Sequence, residues 1–554
     1  MTAVDPKAIR QRFQDLQNDR ASWEPLWQEI RDYVAPDLGL FSGEDALDGS
    51  KRYNRVLDAE AADCADVLAA GLFSGVSSPS RPWLRLTTLD PELDESTSVK
   101  QWLDDVQNQM MMLFTKAEVY NQLHQAYTEL PVFGTACTLI KRHPEQLLNL
   151  QNLTCGEYWL ATDPYGQVDT MYRRLSMNAK QMVQQWGLDA VSRPVKQAYE
   201  RNPYARFDVI HAIEPRWERD IMKRDNMNKP WRSVYFEEAT ANGKLLSESG
   251  FDDFPVMAPR WSVTGAGAVY GRGPGAKALS SSKALQRLQL RLGTLVDYLS
   301  DPPVTYPQQF KGQLNRFRPG GRIPVAPNEA VSIGSAWEVR ADPTAVQALI
   351  QARKEEIRRY FYATIFQMIA ATQKSGRTAT EIASLEQEKI MLLGPVLERL
   401  HKEMLDPLVS TTFNYMVEAN MVPPPPSDLQ GKSLNVEYVS VLAKAQKNSA
   451  VDGINKTIQE LGMLAQINPS VLDKLDTDKA IETIADMNGV PPSLIVSGEQ
   501  VALIRQQRQE QNAQMQQAAQ MQQTAATMKD MGQAADSEGL QALMQQIQQG
   551  EPVL

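Results

Sequence analysis

Between Tyr270 and Ile369 the apolar residues repeat at helical spacing in two blocks, separated by a proline- and glycine-rich insertion. Leu285, Leu288, Leu292, Leu295 and Leu299 alternate steps of three and four residues and so fall on one seam of a helix. Asp301-Pro302-Pro303 ends that helix, because proline lacks the amide hydrogen the next turn needs and drives the preceding residue out of helical geometry. The second block opens at Thr344, with Gln347 placed for a capping box that ties up two unpaired amides. Its apolar positions, Val346, Leu349, Ile350, Ile357, Tyr360, Phe361, Phe366 and Ile369, keep the helical period, while Arg353, Lys354, Glu355, Glu356, Arg358 and Arg359 fall largely on other faces. The spacing predicts an antiparallel helical pair with one face to bury and one charged face to show.

Elsewhere the period changes along the chain. Asp5 to Tyr33 reads as one helix with Phe13, Leu16, Trp23, Trp27 and Ile30 on its buried side, and Ala59 to Phe73 as another. A polar loop holding Ser77 to Trp83 follows, then helical patterns from Ser98 to Leu130. The next hundred or so residues read as mixed α/β. Tyr158 to Asp163 and Val168 to Arg174 form a strand, turn and strand through Pro164-Tyr165-Gly166, and Val234 to Leu246 a hairpin about Asn242-Gly243. Beyond a loop from Ala371 to Arg377, Thr378 and Glu381 form a second capping box. The helix it starts runs to about Met421, with kinks expected at Gly394-Pro395 and near Pro407. Four prolines, Pro423 to Pro426, begin a stiff connector, and a smaller helical region extends from Leu442 to Gln500. From Arg505 to Gln549 Gln, Ala and Met dominate; a helix polar around most of its circumference is either disordered or held by copies of itself.

The 554 residues suffice for several cores, and 42% hydrophobic with 22% charged residues is a soluble, globular balance. No apolar run approaches the roughly 20 residues of a membrane helix, so no membrane partner is expected. Met1 to Phe13 is polar, which argues against a secretory signal. Cys64, Cys137 and Cys155 lack a Cys-x-x-Cys pair and argue for a reducing compartment. A charge of −10 speaks against a protein that coats nucleic acid.

Sites of chemistry are missing from the pattern. Gly265, Gly267 and Gly271 miss a dinucleotide fingerprint by one residue. Gly271 to Lys277 misses a phosphate loop, with Ala276 in place of the last glycine and Ala278 in place of the magnesium-binding hydroxyl. His124, His143, His211 and His401 show no metal-ligand spacing and read as surface or core-edge residues. Asp252 and Asp253 are adjacent and so point apart. No catalytic residue, metal or cofactor is expected. The basic residues are more suggestive: Lys311, Arg316, Arg318 and Arg322 gather between the paired helices, among Phe310, Phe317 and Pro319-Gly320-Gly321. They suit phosphates or an acidic partner as well as they suit solvent, and Lys374 and Arg377 form a smaller second group.

Several separated stretches together resemble the portal, or head-to-tail connector, proteins of short-tailed bacteriophages. They are Ser78 to Leu86; Glu157 to Arg174; Tyr270-Gly271-Arg272-Gly273-Pro274-Gly275 leading to Asp301-Pro302-Pro303; Arg377 to Glu381 followed by Leu393-Gly394-Pro395; and the Gln/Met-rich tail. The resemblance implies a mixed α+β, mainly helical subunit of a closed ring of about twelve copies, set at one capsid vertex around a DNA channel. By that analogy residues 1–269 form an α+β wing, 270–300 the first stem helix, 301–343 the clip and 344–370 the second stem helix. Residues 371–377 then form the tunnel loop, 378–422 a long kinked wing helix, 423–504 the crown, and 505–554 a barrel helix or disordered tail. Lys374 and Arg377 would face double-stranded DNA without reading its sequence. Lys311, Arg316, Arg318 and Arg322 would lie in the clip, which docks terminase during packaging and a tail adaptor protein afterwards. The capsid protein is a further implied partner, and assembly would take place in the host cytoplasm. A different non-catalytic ring-forming scaffold of capsid or tail is the alternative reading.

Overall fold

Asp5 opens the first helix, where its carboxylate accepts the Lys7 amide at 2.9 Å and Pro6 occupies the first turn. The structure is a computed structural model and describes residues 5–41, 55–90, 93, 96–223, 225–239, 245–265, 267–300, 304–305, 334–335, 342–372, 393–431, 434–438, 460–461, 463, 479, 481, 496 and 498–535. The chain divides into two units, Met1–Ser449 and Ala450–Leu554.

In the first unit, the single N-terminal helix expected over Asp5 to Tyr33 is two: α1 (Pro6–Ala21) and α2 (Glu24–Tyr33). Pro25 cannot donate to the preceding turn, so the chain breaks at Ser22-Trp23. The break sends the buried residues to different cores. Ile9, Phe13 and Leu16 pack against Trp159, Tyr172, Ile210 and Phe236, whereas Trp27 and Ile30 join the main core.

Next come α3 (Glu60–Val76), β1 (Leu84–Thr88), α4 (Thr97–Lys116) and α5 (Val119–Phe133). The mixed region holds β2 (Cys137–His143), β3 (Leu147–Leu153), β4 (Tyr158–Thr162), β5 (Val168–Asn178), α6 (Ala179–Trp186), α7 (Arg193–Arg201), β6 (Arg206–Pro215), β7 (Trp231–Glu237), β8 (Ser247–Phe251) and β9 (Val256–Met257). Strands β4 to β8 form an antiparallel sheet in chain order, and β3, β2 and β9 a second one. Side chains alternate between the faces of the larger sheet: Tyr158, Leu160 and Met171 enter the main core while Trp159, Ala161 and Tyr172 lie under α1. The expected strand, turn and strand over Glu157 to Arg174 is β4–β5. The hairpin about Asn242-Gly243 also pairs, through Tyr235 and Ser247, but its strands lie farther from the turn than expected and the turn itself falls outside the described residues.

The helical pair follows as α8 (Pro274–Ser300) and α9 (Pro343–Tyr360), with two-residue strands β10 (Val304–Thr305) and β11 (Gly334–Ser335) paired antiparallel within the insertion. Two expectations change here. The cap of α9 is Asp342, whose carboxylate accepts the Thr344 amide at 2.8 Å, because Pro343 is better placed in the first turn than outside it. The return helix also breaks at Phe361-Tyr362, with Tyr362 at φ 56°, and resumes as α10 (Ala363–Thr372), so Ala371 and Thr372 are helical rather than loop.

Further on, α11 (Gly394–Leu400) passes through a π-helical turn, His401–Leu405, into α12 (Asp406–Glu418). The wide turn takes up Pro407, whose ring would clash in a regular α turn, and that is the physical form of the second expected kink. The segment past the four prolines adds β12 (Leu434–Tyr438), paired with β1. The unit is thus mixed α and β and mainly helical.

Among the described residues of the second unit the main element is α13 (Gly498–Ala535), 38 residues or about 57 Å long. Its side chains from Ala502 to Ala519 are all exposed, as expected of a helix without an apolar face. No helix among the described residues is long and apolar enough to cross a membrane.

Candidate functional site

The helical pair is rooted by backbone-to-backbone packing that only glycine permits. A Cβ on Gly271 would stand 2.3 Å from the Gly134 carbonyl oxygen, one on Gly273 2.4 Å from that of Pro131, and one on Gly275 2.2 Å from that of Val132. Gly134 itself ends α5 at φ 84°, a conformation that favours glycine. The Gly271 amide donates to Thr135 Oγ1 at 2.8 Å, and the Tyr270 hydroxyl accepts the Leu160 amide at 3.0 Å. The run from Tyr270 to Gly275 is therefore a packing joint between the end of α5 and the start of α8, which accounts for its failure as a phosphate loop. Lys277 lies exposed one turn along.

Two polar clamps hold the joint. In the first, the residues before α3 cross the pair: Gln286 Oε1 accepts the amides of Leu57 and Asp58 at 2.6 and 2.9 Å, and Lys354 reaches Asp58 at 2.8 Å and Glu60 at 3.2 Å. Arg358 adds a 2.6 Å contact to Glu60, and Ser281 donates to Glu356 at 2.8 Å across the pair. Burial opposes the Lys354 charge, but its hydrogen bonds and the charges of Asp58 and Glu60 outweigh burial and raise its pKa above the ordinary lysine value. In the second clamp, Arg260 is buried and donates to Glu403 at 2.7 and 3.2 Å, to Ala268 O at 3.1 Å and to Gly166 O at 2.8 Å. It joins the β4–β5 turn, the approach to α8 and the π-helical turn in one contact. The first clamp draws Lys354, Glu356 and Arg358 from the charged face of the second block, against Asp58 and Glu60 ahead of an apolar helix; the second carries no motif that sequence reasoning singles out.

Burial fades toward the far end of the pair. Leu285 is fully buried, Leu288, Leu292 and Leu295 are half-buried, and Leu299 is exposed, as are Val296 and, on α9, Leu349. Of the second helix only Ile350 and Ile357 are fully enclosed before the break. At the break Phe361 is buried, and Phe366 of α10 lies in a notch on α3 that exists because residue 71 is glycine: a Cβ there would meet the ring at 2.2 Å. The six basic residues singled out in sequence, Lys311, Arg316, Arg318 and Arg322 in the insertion and Lys374 and Arg377 beyond α10, lie outside the described residues.

The histidines need one correction. His211 belongs to the core, not its edge: Nδ1 accepts from Arg173 Nε at 3.2 Å and Nε2 meets Ser233 Oγ at 2.9 Å. Burial, then the charges of Arg173 and Lys141, push its pKa well below the usual histidine value, so it stays neutral. Lys141 in the same cluster is lowered to about 8, by burial and by Arg173. His401 is half-buried and stacked on Tyr438, with a pKa lowered by burial to about 4. Glu129, buried beneath the β3–β4 connection, is raised to about 7 by burial despite hydrogen bonds from Thr154 and Cys155. Asp252 pairs with Lys229 at 2.8 Å and Asp253 takes a hydrogen bond from Asn414, so the two carboxylates do diverge. No group of three or more His, Cys, Asp or Glu among the described residues is placed to hold a metal ion.

A two-helix arm is thus fixed to an α/β body by a glycine joint and buried polar clamps. The chain belongs to the family of bacteriophage head to tail connecting proteins, whose family model matches residues 6–496. It is 44% identical over 539 residues to the probable portal protein of Bordetella phage BPP-1, covering 97% of each chain. It is 37% identical over 540 residues to the portal protein of Salmonella phage epsilon15, covering 97% of this chain and 95% of that one. A chain from the neck of an empty GTA particle aligns with 73% of this chain and 86% of its own, at 9% identity and a TM-score of 0.36.

Proposed function

We propose that the chain is the portal protein of a phage head, the head-to-tail connector at one vertex of the virion. The observation that carries this reading is the near-full-length likeness to two proteins named as portal proteins, together with membership of the connecting family. About twelve copies close into a ring around a channel that passes double-stranded DNA during packaging and ejection. Residues 1–269 serve as wing, 270–300 and 344–372 as stem, 301–343 as clip, 373–377 as tunnel loop and 378–422 as the kinked wing helix. Residues 423–504 build the crown, and 505–554 a barrel in which copies of α13 hold one another.

The chemistry fits a passive conduit. Each copy carries a formal −10, so the ring repels DNA overall and any grip comes from local cations. Lys374 and Arg377 form such a collar and touch phosphates without reading sequence. Lys311, Arg316, Arg318 and Arg322 in the clip recognise terminase and then the tail adaptor, and the wing meets the capsid protein. ATP hydrolysis belongs to another protein of the motor.

The test is made in the channel. With Lys374→Ala and Arg377→Ala together, rings should form and packaging should start, but retention of packaged DNA should fall severalfold, most clearly at low salt. Unchanged retention with intact rings would reduce the loop to a connector.

A further inference from the structure

The two ends of the five-stranded sheet differ in chemistry. β5 and β6 are neighbours with Met171 opposite Ile213, so the β4–β5 turn and the β6–β7 loop leave the sheet at the same end. At that end Tyr165, Trp217, Ile221 and Met222 are 90%, 86%, 77% and 91% exposed. Single exposed apolar residues are ordinary, but four large ones on adjoining loops are not.

The loop that carries three of them is built, not slack. Arg216 is buried and donates to Asn226 O at 3.1 Å, Glu248 at 2.9 Å and Ser249 O at 3.0 Å, while its amide donates to Pro230 O at 2.7 Å. Asn228 Oδ1 accepts the Asp220 amide at 3.0 Å, and Asp220 accepts the Met222 amide at 3.1 Å. Arg216 and Asn228 thus point inward and hold the loop, while Trp217, Ile221 and Met222 point out among exposed charged residues. A knob carried on a held backbone suits an interface anchor, because little backbone freedom remains to be lost on contact.

We infer that this end of the sheet is a contact surface for a second copy of the chain, an inference that rests on the ring reading. Charge argues against nucleic acid and anionic lipid, which would call for a net positive rim: over residues 218–225 the acids Glu218, Asp220 and Asp225 cancel the bases Arg219, Lys223 and Arg224. The two aromatics alone offer roughly 300–500 Å², a large share of the about 800 Å² per partner of a specific interface. Every copy also leaves other large apolar side chains exposed away from the knob, Val296, Leu299 and Leu349 along the helical pair. Contact between two different patches propagates head to tail and closes a ring, whereas knob against knob would stop at a dimer. The knob is fixed to the root of that pair as well, because Gly166 O, beside Tyr165, accepts from Arg260.

The test uses full-length protein with Trp217→Ser, Ile221→Ser and Met222→Ser together. All three residues are exposed, so the thermal transition and circular dichroism of the subunit should be unchanged. The concentration at half-assembly, read by native mass spectrometry on dilution, should rise at least about tenfold. In a second variant Met222→Cys carries a benzophenone maleimide; Cys64, Cys137 and Cys155 are buried and so stay unlabelled. Irradiated rings should yield chains cross-linked to another copy. Rings of undiminished stability, cross-links confined to one chain, or rings that form normally but fail to enter heads would each overturn the inference, the last by assigning the knob to the shell. Wild-type protein that never assembles would remove the ring reading and this inference with it, whereas rings indifferent to the substitutions remove this inference alone.

Discussion

Alanine at Gly271 or Gly275 should destabilise the first unit by about 3 kcal/mol or more, among the larger effects of a single methyl group. The added Cβ would stand 2.3 or 2.2 Å from a carbonyl oxygen of the chain leaving α5. A side chain could rotate away, but here the obstacle is backbone held at both ends: by the Thr135 hydrogen bond, by the Trp261 amide donating to Gly134 O at 2.9 Å, and by α8 itself. Relief requires the helical pair to lift off the α5 terminus, which exposes Tyr270 and Ala278 and opens the main core. Gly293, in the outer third of α8, is the internal control. Nothing lies within 4 Å of its Cβ position, so alanine there should stabilise by about 0.5–1 kcal/mol through helix propensity alone. Thermal and denaturant unfolding of the three variants separate the two signs. Equal small effects at Gly271, Gly275 and Gly293 would mean that the joint yields easily.

Replacing Arg260 by Met should cost about 3–5 kcal/mol, because one partner of a buried ion pair is lost and the other is left in place. Four hydrogen bonds from the guanidinium disappear together, and the carbonyls of Gly166 and Ala268 lose their donors. Glu403 keeps the backbone amide of residue 260 at 2.9 Å and Arg399 at 3.1 Å, one turn back along its own helix. Arg260→Met combined with Glu403→Met should recover much of the loss, since the unpaired charge goes with its partner. Denaturant titration of the two single variants and the double gives the coupling directly. An additive double variant would show that the residues act independently.

The helical pair was legible because its leucines repeat over four turns and Asp301-Pro302-Pro303 stops them cleanly. The break at Phe361-Tyr362 was not, because no proline or glycine stands there. Tyr362 is held in a left-handed conformation by what surrounds it, Phe361 in the core on one side and α10 seated at Gly71 on the other. Local pattern also placed the cap of α9 at Thr344 when Asp342, ahead of a proline, is the better acceptor. Strand β12 does alternate, through Leu434, Val436 and Tyr438, but a five-residue strand beyond four prolines has no neighbour in sequence to suggest its pairing with β1. Arg260 and Glu403 stand 143 positions apart and spell no motif; only the fold brings them together. The same holds for the glycine joint, where the residues are visible in sequence as a broken phosphate loop and their use as close-packing positions is not. Family membership, by contrast, was readable from separated short stretches in order along the chain, which is a property of the whole rather than of any site.

A channelled ring is open to mass measurement of the purified full-length protein, with particle images from the same sample. The expected result is a single species of about twelve subunits, ring-shaped in axial view with an open centre. A monomer that persists at micromolar concentration, or a closed dimer without a central opening, would contradict it.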